Sequence, residues 1–487
     1  MEPRDRALSA ERARTKIVAT VGPACSSEPM LRELLLAGAD VFRLNLAHGS
    51  LEEHEKAIFA IREAANACGQ PVGLLVDLAG PKIRLGELAA EVVECRLGDE
   101  FRFVRGDAAS QPNELVTSYS TLVDELETGD RVMLADGTVG LEVLRRDRDA
   151  ALCRVTQPGT IRSRQGVNLP GVKLRTPALT PTDEEHVAWA ARMEADFVGL
   201  SFVRSPSDVQ HLKSRLAAEG SRARAIAKIE KQEALDHLEA IVRVADGIMI
   251  ARGDLGVEID VARVPLVQKQ IVALCARYRK PVITATQMLD SMQQSAQPTR
   301  AEASDVANAV IDGTDACMLS AETAVGKYPR QAVQTMNHIA YVTESRLSAV
   351  VATQAATERM EGLHPVTEAV VEGASLMARR LDARLIVVAS HSGATALALS
   401  KQRNFVPTLG ISDSKSTLRQ MCLYWGVTPL EGISEENVER TITHVQRWGR
   451  EQNLLSPGQR LVLVSGTHTR VSGHNQILVH EVADPGR

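Results

Sequence analysis

"RAIAKIEKQEALDHLEAIVRVADGIMIARGD", residues 224–254, holds two short β-rich apolar runs, 224–230 and 247–254, on either side of a longer helical pattern. Each run closes on charged residues: Lys228 and Glu230 on the first, Asp254 on the second. The pattern predicts a strand–helix–strand unit whose polar side chains gather where the strands stop.

The unit recurs along the chain. "KIVATVG" (16–22), "VFRLNL" (41–46), "VGLLVDL" (72–78), "DFVGLSF" (196–202), "PVITATQ" (281–287) and "ACMLSAE" (316–322) bring the β-rich runs to eight. Amphipathic segments such as "EPMLRELLLAGA" and "TPTDEEHVAWAARMEA" separate most of them. The second opens on Thr and Pro with acids in its first turn, which is helix-start chemistry. Eight nearly continuous apolar strands alternating with helices predict a closed parallel (β/α)8 TIM barrel. An open doubly wound sheet gives similar alternation; the count of eight and the recurring polar strand ends favour the barrel.

More than a hundred residues separate the third run from the fourth, and within them the pattern changes. "EFRFVRG", "DRVMLADGTVGLEVL" and "ALCRVTQPG" alternate at period two between Gly, Asp and Pro turns, and "DGTVG" is a hairpin signal. A small β-barrel lid carried on the third βα loop is expected, where a mobile cover over a barrel mouth would attach. From about 351, "ARLIVVAS", "VPTLGIS", "VTPLEGI", "RLVLVSG" and "QILVHEV" predict a C-terminal α/β unit. The expected divisions are 1–85 and 174–350 for the barrel, 86–173 for the lid, and 351–487 for the last unit.

Bulk composition narrows the function. The 487 residues exceed one ordinary core. A net charge of −5 and 3% aromatic residues give neither the basic footprint nor the stacking platforms of a nucleic-acid binder. Seven scattered cysteines without a C-x-x-C or Cys/His cluster read as reduced, packed thiols. The charged N-terminus, MEPRDRALSAERARTK, lacks the apolar core of a secretory signal, and no apolar run reaches membrane-span length. A soluble cytoplasmic protein with no membrane partner is expected.

In such a barrel the reacting groups stand where strands end. Those positions hold Arg43, Asn45 and His48; Asp77, Lys82 and Arg84; Ser201; Lys228 and Glu230; Asp254; Thr286; and Ser320 and Glu322. Glu230 and Asp254, on adjacent strands without nearby His or Cys, suit magnesium or manganese rather than zinc. Cations gathered round a hard divalent ion are what phosphoryl transfer needs, since its transition state spreads negative charge over oxygens. Neither a G-x-x-x-x-G-K-[ST] loop nor the H-R-D and D-F-G set of protein kinases is present. Taken singly, Lys228 is an amphipathic charge, Glu230 and Asp254 are capping acids, and Thr286 is a strand residue chosen for propensity. Their coincidence at one end of successive strands is what stability alone does not predict.

At these positions the chain resembles the pyruvate kinase family. The resemblance runs through "TKIVATVGPA", "FRLNLAHGS", "DLAGPKIR", "GVNLPG", "SFVRSPSDV", "AKIEKQEAL", "IMIARGDLGVEI", "VITATQMLDSM", "PTRAEASDVANAVIDGTDACMLSAETAVGKYP" and "VSGHNQILVH". It implies phosphoryl transfer from phosphoenolpyruvate to ADP, giving pyruvate and ATP in glycolysis. By the same resemblance Arg43 and Lys228 contact the transferring group, with Lys228 stabilising its transition state. Glu230 and Asp254 hold the Mg2+ or Mn2+. Gly253, Asp254 and Thr286 cradle the substrate carboxylate, and Thr286 lies near the route of enolate protonation, with Ser320 and Glu322 ordering water. Asn45, His48 and Arg84 contact the nucleotide phosphates, and Asp136 of the lid completes the closed site. A homotetramer built partly through "PTRAEASDV" is also implied.

The chain departs from the family pattern in places. Ala47 replaces a usual Ser, Lys82 replaces the Glu of potassium-requiring members, and Gln165 stands where a Lys usually precedes the lid glycine. With an oxygen lost at position 47 and a fixed ammonium at 82, Lys82 is expected to substitute for the monovalent cation, so K+ is not required. In "VVASHSGATALALS" (387–400), Ser390, Ser392, Gly393 and Thr395 resemble the family's effector loop for a sugar phosphate or nucleotide. An ordinary capped helix reads the same way. Two other functions fit the pattern: a metal-dependent aldolase or lyase acting on an enolate, and a non-catalytic binding or scaffold protein on the same fold. Dependence on ADP separates them.

Overall fold

The computed structural model describes residues 12–172, 175–351, 364–432, 438–466 and 475–483. The charged stretch 1–11 and the first half of "VSGHNQILVH" lie outside those residues. So do the expected boundary at 173–174 and the residues that follow the one at 351.

Eight strands close into a parallel ring in chain order: β1 (Lys16–Thr20), β2 (Val41–Asn45), β3 (Gly73–Asp77), β4 (Phe197–Leu200), β5 (Arg224–Ile229), β6 (Gly247–Ala251), β7 (Val282–Ala285) and β8 (Ala316–Leu319). β1 shuts the ring by pairing with β8, Lys16 opposite Ala316. Helices between them begin as their sequences dictate. Thr180 caps Pro181–Arg192, its hydroxyl accepting from the Asp183 N–H at 3.1 Å while Asp183 answers the Thr180 N–H.

The strand starts carry a fourfold repeat. The residue immediately before each even-numbered strand is Asp, and one carboxylate oxygen accepts an N–H at the start of the preceding strand, from its second residue in three cases and from its first, Val282, in the fourth. Asp40 holds Ile17 at 2.9 Å, Asp196 holds Leu74 at 2.9 Å, Asp246 holds Ala225 at 3.0 Å and Asp315 holds Val282 at 2.8 Å. Each bracket satisfies a strand-start N–H and locks neighbouring strands in register.

Between β3 and β4 lies the β unit. Its six-stranded sheet runs in the spatial order Val167–Asn168, Arg131–Leu134, Val139–Arg146, Ala150–Gln157, Glu100–Val104, Glu114–Leu115. A ribbon of Val93–Cys95 and Gly159–Ile161 accompanies it. The "DGTVG" turn is a hairpin, with Ala135, Asp136 and Gly137 all at positive φ.

The C-terminal sheet comprises β9 (Leu385–Ala389), β10 (Thr408–Ser412), β11 (Val427–Glu431), β12 (Arg460–Ser465) and β13 (Gln476–Glu481), ordered β11-β10-β9-β12-β13. It docks on the strand starts. Lys401 and Arg403 pair with Asp315 at 2.5 and 3.1 Å, and Arg419 pairs with Asp196 at 2.7 Å. Residues such as Val18, Val41, Leu75, Ile226, Met249 and Ile283 share one apolar cluster with Ala396, Met421 and Tyr424 of this unit. The barrel interior and the C-terminal core are therefore packed as one body. All seven cysteines are free and buried. Among the described residues no helix is long and apolar enough to cross a membrane.

Candidate active site

At the other end of the ring, the ends of β2, β3 and β5 meet. Asp77, fully buried at the end of β3, accepts from Arg43 Nε at 2.8 Å and Nη2 at 2.6 Å through one oxygen. Its other oxygen lies 3.4 Å from Lys228 Nζ. Burial pushes the Asp77 carboxyl up, but Lys228 and Arg43 outweigh it and hold it below its ordinary value. Lys228 also donates to Ser201 Oγ at 2.6 Å, and Ser201 passes the chain on to the Leu78 carbonyl at 2.7 Å. Burial disfavours the ammonium, yet Asp77 and Glu230 keep the Lys228 pKa above its ordinary value. Two cations on strands that are not adjacent are thus fixed, charged, beside one carboxylate.

Glu230 follows β5 and is buried. Its Oε1 accepts the Phe202 N–H at 2.6 Å, and Oε2 stands 3.5 Å from Lys228. Burial pushes its pKa up to about 7 against the pull of Lys228, and Asp254 adds to the rise. A carboxylate held at that value beside a second one is a site lacking positive charge. Among the described residues no group of three or more His, Cys, Asp or Glu side chains converges as a metal cage. Two hard carboxylates without nitrogen or sulfur ligands fit an ion that takes its other oxygens from substrate and water, which is how magnesium binds.

Asp254 and Gly253 belong to the helical turn Arg252–Glu258 that follows β6. The Gly253 N–H donates to Thr286 Oγ1 at 2.7 Å, so these two residues meet as expected. A Cβ on residue 253 would come 3.4 Å from Thr286 Oγ1 and close that corner. Thr286 and Gln287 both lie at positive φ, costly for residues other than Gly. What holds them there is Arg252. Its guanidinium donates to the carbonyls of Ala285 (3.3 Å) and Thr286 (2.9 Å) and pairs with Asp305 at 2.7 Å. Sequence reasoning passed over Arg252, because its part depends on a backbone bend that periodicity does not reveal.

The remaining expected residues form the rim. Asn45 Oδ1 accepts the Ala47 N–H at 3.3 Å. His48 is held below its ordinary pKa by burial first, then by Arg84, Lys82 and Arg43, which places these cations around it. Arg84 bridges to Gly166 and donates to the Arg164 carbonyl at 3.2 Å, tying the rim to the β unit. A Cβ at Gly166 would lie 3.4 Å from Asp136 Oδ1 and 3.7 Å from Lys82 Cε, so Lys82, Asp136 and this turn converge. Lys82 is exposed, and its ammonium makes no ion pair among the described residues. Gln165 folds back on its own loop, its Oε1 accepting the Arg162 N–H at 2.6 Å. Glu322 spends both oxygens on the N–H groups of Leu289 and Ser320, whereas the buried Ser320 Oγ lacks a hydrogen-bond partner among the described residues. On the far face, Ser390 Oγ accepts the Gly393 N–H and Ser392 Oγ that of Ala394, opening the helix Ala394–Lys401; Thr395 is buried.

Comparison with known proteins bears on the same residues. Residues 12–333 match the family described as pyruvate kinase, barrel domain, and residues 368–480 match pyruvate kinase, alpha/beta domain. The chain belongs to the pyruvate kinase family. It is 38% identical over 474 residues to a pyruvate kinase of Staphylococcus epidermidis, spanning 97% of this chain and 81% of that one. It is 41% identical to pyruvate kinase 2 of Synechocystis, over 96% and 79% respectively. The crystal structure of a pyruvate kinase from Cryptosporidium parvum superposes with a TM-score of 0.89 at 32% identity, over 98% of this chain and 97% of that one. Membership makes the chain a kinase-class enzyme, and the strand-end cluster lies within the matched barrel.

Proposed function

We propose that this enzyme transfers the phosphoryl group of phosphoenolpyruvate to ADP, giving pyruvate and ATP as a cytoplasmic glycolytic step. The observation that carries the reading is the Arg43–Asp77–Lys228–Glu230 cluster, two fixed cations beside a carboxylate short of positive charge. In this reading Arg43 and Lys228 bind the phosphoryl oxygens. A β-phosphate oxygen of ADP attacks phosphorus, and the bond from phosphorus to the enol oxygen breaks. Lys228 matters most as charge spreads in the transition state. The electron pair left on the enolate takes a proton at the methylene carbon, with Thr286, and Ser320 through water, bordering that route. Gly253, Asp254 and Thr286 cradle the substrate carboxylate, while Asn45, His48 and Arg84 meet the nucleotide phosphates. Glu230 and Asp254 would hold Mg2+ or Mn2+, which supplies Lewis-acid stabilisation of the transferring oxygens.

Four finer readings belong to this proposal. Lys82 supplies from within the protein the charge that a potassium ion supplies elsewhere; two unit charges 4 Å apart are worth about 4 kcal/mol at an effective dielectric near 20. Ser390, Ser392, Gly393 and Thr395 receive the phosphate of a sugar-phosphate or nucleotide effector. The chain assembles as a homotetramer, and the lid is the unit between about 86 and 173. The deciding assay follows pyruvate formed from phosphoenolpyruvate with and without ADP. Pyruvate formation should require ADP and a divalent cation, and should proceed fully in sodium or tetramethylammonium buffer free of potassium. Release of pyruvate independent of ADP would point to a lyase instead. Asp254→Ala should lose most turnover with the fold intact, only partly rescued by added magnesium.

A further inference from the structure

Glu230 and Asp254 follow neighbouring strands, yet their carboxylates are anchored unequally. Glu230 directly follows β5, and its Oε1 accepts the Phe202 N–H at 2.6 Å. Asp254 is the third residue after β6, and its carboxylate makes no hydrogen bond or ion pair among the described residues. Its place is set by the backbone of the helix Arg252–Glu258 that carries it.

That helix has seven residues, too few to be stable by its own hydrogen bonds. What holds each end therefore decides where Asp254 stands. The start is tied to the end of β7: the Gly253 N–H donates to Thr286 Oγ1 at 2.7 Å, and Arg252 donates to the carbonyls of Ala285 and Thr286. The last residue, Glu258, is tied to the end of β5. Its Oε1 accepts from Lys231 Nζ at 2.5 Å, and Lys231 is the residue next to Glu230. The helix is thus stretched between β7 and β5, across the end of β6.

This tie closes a circuit of contacts between the two carboxylates. Lys231 Nζ lies 5.7 Å from the centre of the Phe202 ring, and Phe202 supplies the N–H that fixes Glu230. Phe202 is itself at positive φ (55°), and Gly80 makes room for it, since a Cβ there would come 2.8 Å from Phe202 Cδ2. At the other end, Glu258 and Asp254 are four residues apart on one helix, so they share a face one turn from each other. From Glu230 to Asp254 the path runs through Phe202, Lys231 and Glu258 without a gap.

Stability alone does not account for the pair. The side chains of Lys231 and Glu258 are 10% and 2% exposed. Burying two charges costs desolvation, and apolar residues of similar volume often stabilise a fold as well or better. What an apolar contact lacks is one length and one direction. Magnesium demands near-octahedral oxygen geometry, so the separation of its two protein carboxylates is a quantity that a fixed length controls.

We propose that Lys231 and Glu258 are positioning residues for the divalent ion: their ion pair sets the separation of the Glu230 and Asp254 carboxylates, and with it the affinity for metal. The inference rests on the assignment of those two carboxylates to the metal.

Titration of the full chain with Mn2+, without substrates, tests it, the free ion being read by electron paramagnetic resonance. Lys231→Met and Glu258→Gln should each weaken Mn2+ binding about tenfold, as losing a residue that orients metal ligands does. Either change strands a buried charge and lowers the melting temperature. Lys231→Met with Glu258→Leu strands none; it should melt close to the wild type and still bind Mn2+ about tenfold more weakly. Wild-type affinity in that double variant overturns the proposal and leaves the pair a packing feature. Lys231→Arg keeps the charge and the donor, so it should recover most of the affinity lost in Lys231→Met. This comparison decides independently of the melting temperatures, and equal affinity in the two variants overturns the proposal as well. Asp254→Ala separates the two readings. If it binds Mn2+ like the wild type, these carboxylates are not the metal site. If it binds weakly while the Lys231 and Glu258 variants bind like the wild type, the metal site stands and the positioning role falls.

Discussion

Arg43 and Lys228 reach the barrel mouth from β2 and β5, which are not neighbours, and the buried carboxylate of Asp77 lies between them. Asp77→Asn leaves that cation pair uncompensated, and breaking a buried ion pair costs about 3–5 kcal/mol. A lower melting temperature should therefore accompany a fall in kcat/KM; a variant as stable and active as the wild type would remove Asp77 from this role. Lys228→Met should lower kcat by about a thousandfold while KM for phosphoenolpyruvate changes far less, because the lost charge acts chiefly on the transition state. Steady-state kinetics separate the two constants. His48 offers a proton readout of the proposed nucleotide corner. Burial, then Arg84, Lys82 and Arg43, depress its folded pKa, so as pH falls the unfolded chain takes the proton first. Its contribution to stability is complete above the unfolded value of 6.5 and is lost as pH falls from there through the folded pKa. An NMR titration should place the His48 pKa below 6.5, and Lys82→Glu should raise it. An unmoved His48 in that variant would separate Lys82 from the proposed nucleotide corner. The placing of Arg43, Lys228, Glu230, Asp254 and Thr286 at one end of the barrel was legible in the sequence because each lies in or just after a recognisable strand. The parts of Asp77 and Arg252 were not, since they consist of distances between elements far apart in the chain.

Each element of the ring was readable from apolar runs and helix-start residues, yet the brackets joining those elements went unread. "GAD", "EAD", "VAD" and "GTD" stand at 38–40, 194–196, 244–246 and 313–315, always one residue before an even-numbered strand. A lone Asp before a strand reads as a turn residue, and its bond to a neighbouring strand becomes visible only in three dimensions. The connection of the β unit to the barrel was hidden for the same reason. Gly166 was expected as part of a motif, whereas its pairing with Arg84 joins residues far apart in sequence. Of the four brackets, Asp315 takes Lys401 and Arg403 as well as the Val282 N–H; Asp40 and Asp196 likewise each take two cations, and Asp246 takes Lys213. Asp315→Asn should thus destabilise more than Asp246→Asn, whose one ion-pair partner among the described residues, Lys213, is partly exposed. Scanning calorimetry of the two variants ranks them; a larger loss in Asp246→Asn would show that the docking cations contribute little.

At the scale of the whole molecule, one outer face of the barrel exposes large apolar side chains. Leu266 and Ile311, 67% and 54% exposed, flank an ion pair between Lys269 and Asp312 that ties the helices Val264–Arg277 and Arg300–Asp312 together. Val261, 73% exposed, sits in the turn that leads into the first of these helices. The second begins within "PTRAEASDV", and Asp305 on it holds Arg252, the residue that fixes the bend at Thr286. Large side chains on adjoining helices mark a surface that gains by being covered, and each fully covered aliphatic side chain contributes about 1.5–3 kcal/mol. In the proposed homotetramer this face meets another copy, and assembly stiffens the helix behind Arg252. Light scattering should give a particle of four 52.7 kDa chains. Leu266→Glu with Ile311→Glu should reduce that mass, and kcat should fall with it although neither residue reaches the active site. If the double variant keeps the wild-type mass, assembly uses another surface. If it dissociates with kcat unchanged, the Asp305–Arg252–Thr286 linkage does not depend on assembly.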